Sequence, residues 1–165
     1  MTAATHPYAQ VLGDRDPLTV LAETQEKIPA IAQKLGSEGL KRSYGPGKWT
    51  AAQVLTHLAD AEIAFGFRVR QIVAEPQQPI QPFDETLWAK HYDRADGAQA
   101  AQAFKALRAF NLALFRQLSK EELERAAKHP ERGPEKADTV IRILAGHTLN
   151  HLAQLEKIVA GSAAA

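Results

Sequence analysis

The chain of 165 residues carries 20 Lys and Arg against 19 Asp and Glu, a formal charge of +1, and is 45% hydrophobic. That length and apolar content predict a single domain over 1–165 with a buried core, and the balanced charge gives no global attraction to nucleic acid or to an anionic membrane. The lack of cysteine excludes disulfides, thiolate metal ligands and a cysteine nucleophile, so any thiol chemistry needs a thiol from outside.

The N-terminal residues show no basic segment followed by an apolar run, and no apolar stretch approaches the roughly 20 residues of a membrane helix. The chain therefore reads as cytoplasmic, with weakly held ends before Asp16 and from Gly161 onward, and a core over about 17–159. Asp16-Pro17 predicts a helix start, because Asp caps orphan amides and proline at the first helical position gives up no needed donor. Leu18, Leu21, Thr24, Ile28, Ile31 and Leu35 continue at helical spacing to Gly36, and Pro29 is expected to kink or divide the segment. Ser37 to Lys48, with three glycines and a proline, predicts a loop.

Thr50-Ala-Ala-Gln53 is a capping box, and Val54, Leu58, Ala61, Phe65, Val69 and Ile72 form the apolar stripe of a second helix running to about Ala74. Glu75 to Asp96, punctuated by Pro76, Pro79 and Pro82, predicts a long loop of the kind that crosses a fold or carries function. A third helix is predicted near Ala98 to Leu118. Ser119-Lys-Glu-Glu122 caps a short helix ending before His129-Pro130, and a polar loop leads to a last helix over about Asp138 to Val159. No alternating strand pattern is evident. Four long amphipathic helices predict an all-α four-helix bundle.

The last helix has Val140, Leu144, His147, His151, Leu155 and Ile158 in one stripe. In His147-Thr-Leu-Asn-His151 the spacing of four places both imidazoles on one face, where they can chelate a single ion; the same spacing also suits two histidines that merely pack. No glutamate follows His147, so this is not the zinc-protease motif. His57 sits in the second helix with Ala61 and Ala64 after it, small enough to leave room. If these two helices pack side by side, three neutral imidazoles can hold one metal and leave a coordination position open.

The stretch Pro46-Gly-Lys-Trp-Thr-Ala-Ala-Gln-Val-Leu-Thr-His57-Leu-Ala-Asp-Ala-Glu62, then Phe83-Asp84, then Gly146-His147-Thr-Leu-Asn-His151-Leu-Ala-Gln154 resembles the DinB/YfiT superfamily of metal-dependent proteins over about Pro17 to Val159. The resemblance implies a four-helix bundle with a long crossover between the second and third helices. It implies that His57, His147 and His151 bind a divalent metal, and that the protein is a homodimer. It also implies a thiol-dependent S-transferase acting on a small electrophile, with bacillithiol, mycothiol or glutathione as cosubstrate. Zinc or nickel suits three imidazoles best, with iron or manganese as further candidates. Two other readings stand beside it: a metal-dependent hydrolase of a small molecule, and a non-catalytic bundle that binds a ligand or partner.

Asp84 on the crossover is a candidate to orient a metal ligand, although an Asp after Phe at a loop end is commonly a local cap. Trp88 and Tyr92 are candidates to line an apolar substrate pocket, with ordinary packing as the alternative. Arg68 lies about 16 Å beyond His57 by helix rise, too far for a metal ligand, and is read as an ion-pair partner or anion holder. Glu62 is read as the partner of a basic side chain, and Trp49 as a hydrophobic staple against Val54. His6, His91 and His129 are assigned no chemistry.

Overall fold

The computed structural model describes residues 6–163; the outermost residues of the expected loose ends, 1–5 and 164–165, lie outside them. The first helix, α1 (Ala9–Leu12), corrects the expectation of a weakly held segment before Asp16. Leu12 is buried in the core, and Tyr8 lies against the last helix at Gly146, where an added Cβ would come within 2.6 Å of the Tyr8 Cβ. Only glycine allows that approach.

Helix α2 (Pro17–Leu40) starts as expected, with Asp16 accepting from the Thr19 amide. Its break is not at Pro29, which continues the helix, but at Gly36, whose φ of 61° and ψ of −176° few residues other than glycine adopt. The helix then resumes to Leu40, so part of the expected 37–48 loop is helical. Helix α3 (Ala51–Ala74) carries the capping box in both directions, Thr50 with Gln53.

From Ala74 the chain turns back and runs down the side of α3. Gln71 donates to the Pro79 carbonyl, Arg68 to that of Gln81, Tyr92 to Asp60, and Gln53 to Asp93. Each later crossover residue meets an earlier residue of α3. The crossover is not all loop: it contains α4 (Glu85–Trp88) and a 3-10 turn (Ala89–Arg94). Helix α5 (Gly97–Phe115), capped by Asp96, therefore begins beside the start of α3, with Gly97 against Ala52. It runs parallel to α3 and ends three residues short of the expected Leu118.

Helix α6 (Lys120–Glu124) has the expected Ser119–Glu122 capping box. The polar loop expected next is instead a β-hairpin, β1 (Ala126–His129) and β2 (Gly133–Lys136), with Ala127 opposite Glu135. Four-residue strands containing Pro134 are too short to show an apolar alternation, and outside contacts hold the hairpin: the Ile80 amide donates to the Lys128 carbonyl. Helix α7 (Ala137–Ala163) completes the bundle. Among the described residues no helix is long and apolar enough to cross a membrane.

Helices α2 and α3 each pack against both α5 and α7, and touch one another only slightly, so successive long helices α2 and α3 stand diagonally. Two apolar clusters fill the bundle, one around Leu21, Phe65, Leu112 and Leu144, the other around Ile28, Leu55, Phe104 and Leu155. Between them lies a layer of buried polar side chains from all four helices: Thr24, His57, Glu62, Arg108, Asn111, His147, Thr148 and His151. Burying so many polar groups is costly unless they satisfy one another or a ligand.

Candidate metal centre

One half of the layer is self-sufficient. Arg108, fully buried, donates from Nε and Nη2 to Glu62 Oε1 at 2.9 and 2.6 Å, from Nη1 to the Leu21 carbonyl and Thr24 Oγ1, and from Nη2 to Thr148 Oγ1. Asn111 Nδ2 donates to Glu62 Oε2 at 3.0 Å. Glu62 thus has the basic partner expected of it, in a structural role. Because Thr148 follows His147, the network also fixes α7 where the histidines project.

The other half is not self-sufficient. His57, His147 and His151 are all buried, and their candidate ligand nitrogens lie within 4.8 Å of one another. His57 Nε2 and His147 Nε2 are 2.8 Å apart, a pair that can share one proton at most. Among the described residues the Nδ1 atoms of both rings have no partner. His151 Nδ1 meets Gln154 Oε1 at 3.0 Å; the amide oxygen only accepts, so Nδ1 carries the proton and Nε2 is left with its lone pair.

Burial is the main reason all three rings titrate low: His57 at about 3, His151 at about 4 despite the Gln154 hydrogen bond, and His147 well below the ordinary 6.5. Neighbouring imidazoles lower His57 and His147 further, and Arg108 adds to the effect on His147. The rings are neutral at pH 7, the form that binds metals. Three nitrogens around a tetrahedral ion stand roughly 3.3 Å apart, which the observed separations bracket. The residues fit one divalent ion, and the orphaned nitrogens are what the protein alone leaves unsatisfied.

Rings wall the triad. Trp49 packs on His57 and His151 with ring centres 5.0 and 6.3 Å away, Phe83 stacks on His57 at 6.3 Å, and Tyr8 meets His147 edge-on at 5.4 Å. Trp49, expected only as a staple for the start of α3, is thus a wall of the triad. Tyr92 lies 6.3 Å from His57 and donates its hydroxyl to Asp60 at 2.8 Å; burial and that carboxylate raise its pKa, so it stays protonated. Trp88 is apart from the triad, edge-on to Phe83 and lining an apolar groove with Ile63 and Phe67. The two aromatics read together in the sequence thus serve different places.

Asp84 caps α4, with Oδ1 accepting from the Leu87 amide at 3.0 Å. Its neighbour Glu85 is nearer the triad, Oε2 lying 3.9 Å from His57 Nε2 with 60% of the side chain exposed. A cavity of about 450 Å³ opens on His147 and is walled by Tyr8, Phe65, Phe83, Glu85, His129 and the two arginines Arg68 and Arg132. A larger one of about 690 Å³, between α2 and the start of α5, touches none of the three histidines. His129 is buried, its Nδ1 accepting from the Glu131 and Arg132 amides, whereas His91 is exposed. Sequence reasoning missed Glu85, Tyr8, His129 and Arg132 at this site; only Gln154, three residues after His151, had a spacing that could have revealed it.

The family model described as the DinB superfamily matches residues 21–155. The chain belongs to the DinB superfamily. A protein of Oceanobacillus iheyensis, named as a candidate metal-dependent hydrolase, is 35% identical over 138 residues, 81% of this chain and 80% of its own length. YfiT of Bacillus subtilis, similarly named, is 25% identical over 144 residues, 86% of this chain and 81% of its own. A solved structure of YfiT, described as an unusual four-helix bundle, superposes with a TM-score of 0.81 at 24% identity, covering 89% of this chain and 86% of that one. The all-α DinB-like bundle with a crossover between the second and third long helices is thus the fold. The parallel course of α3 and α5 in this DinB chain follows from that crossover.

Proposed function

We propose that this protein is a metal-dependent enzyme acting on a small molecule, with hydrolysis the reaction its geometry supports best. The observation that carries this reading is a solvent-reachable carboxylate, Glu85, beside three buried neutral imidazoles. His57, His147 and His151 would hold the ion, zinc and nickel being the best matches to an all-imidazole set, with iron and manganese also accepted. A divalent ion there supplies Lewis acidity, lowering the pKa of a nucleophile and polarising a carbonyl or phosphoryl oxygen. Glu85 accepts the proton of the attacking water, a role its exposure and position allow. Trp49 and Phe83 keep bulk water from one side of the triad, and Tyr92 holds the turn after α4 against α3. The names carried by the Oceanobacillus and Bacillus relatives agree with hydrolysis.

Transfer of an external thiol to a small electrophile is the second reading. It uses the same Lewis acid and the same base, and a cavity of about 450 Å³ has room for a low-molecular-weight thiol beside its acceptor. The test is elemental analysis followed by turnover of zinc- or nickel-loaded protein on nitrophenyl esters without thiol, and on chlorodinitrobenzene with bacillithiol, mycothiol or glutathione. Near-stoichiometric metal in the wild type should fall at least tenfold in His151→Ala. Glu85→Gln should keep its metal and lose roughly 100-fold in kcat, the lower range for a general base. Ester hydrolysis without thiol supports the first reading and thiol-dependent turnover alone the second; protein that takes up no metal after reconstitution overturns both.

A further inference from the structure

Arg68 is the one buried charge on the wall of the cavity at His147. It is 4% exposed and, among the described residues, makes a single hydrogen bond, Nη2 to the Gln81 carbonyl at 3.1 Å. No carboxylate lies within ion-pair distance of it among the described residues. Burial and then the neighbouring Arg132 charge lower the Arg68 pKa, and only the field of Glu135 opposes them; Glu135 is itself engaged in a two-pronged contact with Arg132. The guanidinium instead rests on the Phe65 ring, 5.2 Å from its centre.

The contrast with Arg108 is informative. Both arginines are buried, yet Arg108 has five hydrogen bonds and a carboxylate. A buried guanidinium with no carboxylate in contact is costly, and its planar fork of donors suits a carboxylate or phosphate ligand. The same Phe65 ring lies 6.1 Å from the His147 ring centre, so the guanidinium is within about 11 Å of His147. The acids Asp84, Glu85 and Glu131 on the cavity wall are exposed, where water screens them, whereas the Arg68 charge is buried.

We propose that Arg68 is the anion-anchoring residue of this cavity, binding a compact carboxylate or phosphate on a small substrate whose reacting bond lies at the histidine triad. The substrate class is then an anionic molecule, such as a half-ester or a phosphorylated acyl compound, with several bonds between its anionic group and the bond that reacts. This inference rests on the metal-dependent reading for the reacting end, but the anion site stands on Arg68 alone.

Calorimetric titration of glutarate, and separately of inorganic phosphate, into metal-free protein tests it, comparing wild type with Arg68→Met and Arg68→Lys. Metal content of each reconstituted protein is measured in parallel. The wild type should bind at least one of the two anions; Arg68→Met should weaken that binding at least tenfold, Arg68→Lys no more than about threefold, with metal content equal in all three. Arg68→Met also loses the Gln81 hydrogen bond that ties the crossover to α3, so its melting temperature is measured in parallel, and Arg68→Lys keeps the comparison available if it falls. Equal anion binding by wild type and Arg68→Met, or none by the wild type, overturns the proposal. Arg68-dependent anion binding in protein that takes up no metal upholds the anion site and overturns the metal reading instead.

Discussion

His151 is the ring of the triad whose orientation the protein itself enforces. Its Nδ1–H donates to Gln154 Oε1, fixing the tautomer and pointing Nε2 at the other two rings, while among the described residues His57 and His147 lack such a partner at Nδ1. The outer hydrogen bond of a metal-binding histidine typically contributes 10–100-fold in affinity. Gln154→Met, similar in length but without the acceptor, should therefore weaken zinc binding by about that factor in a competition titration with a chromophoric chelator. An unchanged affinity would show that α7 packing alone sets the ring. The triad was legible in the sequence because a four-residue spacing on one helix is a geometric fact, and the resemblance supplied His57. Glu85 was not legible, since nothing local separates it from Asp84; which of two adjacent acids meets the triad depends on how the crossover lies along α3.

At the scale of elements, the four long helices announced themselves through their stripes, and Asp16 and Thr50 cap α2 and α3, as Ser119 caps the short α6, in the way their sequence contexts require. What the sequence could not reveal was set by tertiary contact. Gly36, not Pro29, breaks α2, because a proline can remain helical by giving up one backbone donor, whereas the Gly36 backbone leaves the helical region altogether. The hairpin at 126–136 has no pattern of its own, and α1 is held by what it lies on. Gly146 is the contact point there, and Gly146→Val should expel Tyr8 from α7. Loss of the Tyr8 ring from His147 and of packing around the buried Leu12 should destabilise the protein by about 2–3 kcal/mol in urea unfolding, and should make the N-terminal segment the first site of proteolysis. Cleavage no faster than in wild type would place the anchor of α1 elsewhere.

At the scale of the whole molecule, the polar layer couples stability to pH. In metal-free protein the three histidines have folded pKa values below the ordinary 6.5, so under acid conditions the unfolded chain binds protons that the folded one does not. Their contribution is fully present above pH 6.5 and is lost progressively as the pH falls toward about 4 and then 3. Each ring contributes a slope of up to about 1.4 kcal/mol per pH unit. Urea unfolding of metal-free protein between pH 7 and 5, before ordinary carboxylates titrate, should show a falling midpoint, and His147→Leu should flatten that fall. A wild-type midpoint independent of pH across this range would show that the rings are not held neutral.

The antiparallel run of the crossover along α3 has a further consequence, for how such a protein can diversify. The histidines belong to helices α3 and α7, whose places are fixed by the apolar clusters above and below them, whereas Phe83 and Glu85 hang on a strap attached to α3 at a few points, through Pro79, Gln81, Tyr92 and Asp93. Lengthening or shortening that strap between its attachments slides new side chains over the histidines without disturbing a single helical turn of the bundle. The framework that carries the three histidines and the ribbon that lies over them are thus separable parts, free to be altered one without the other.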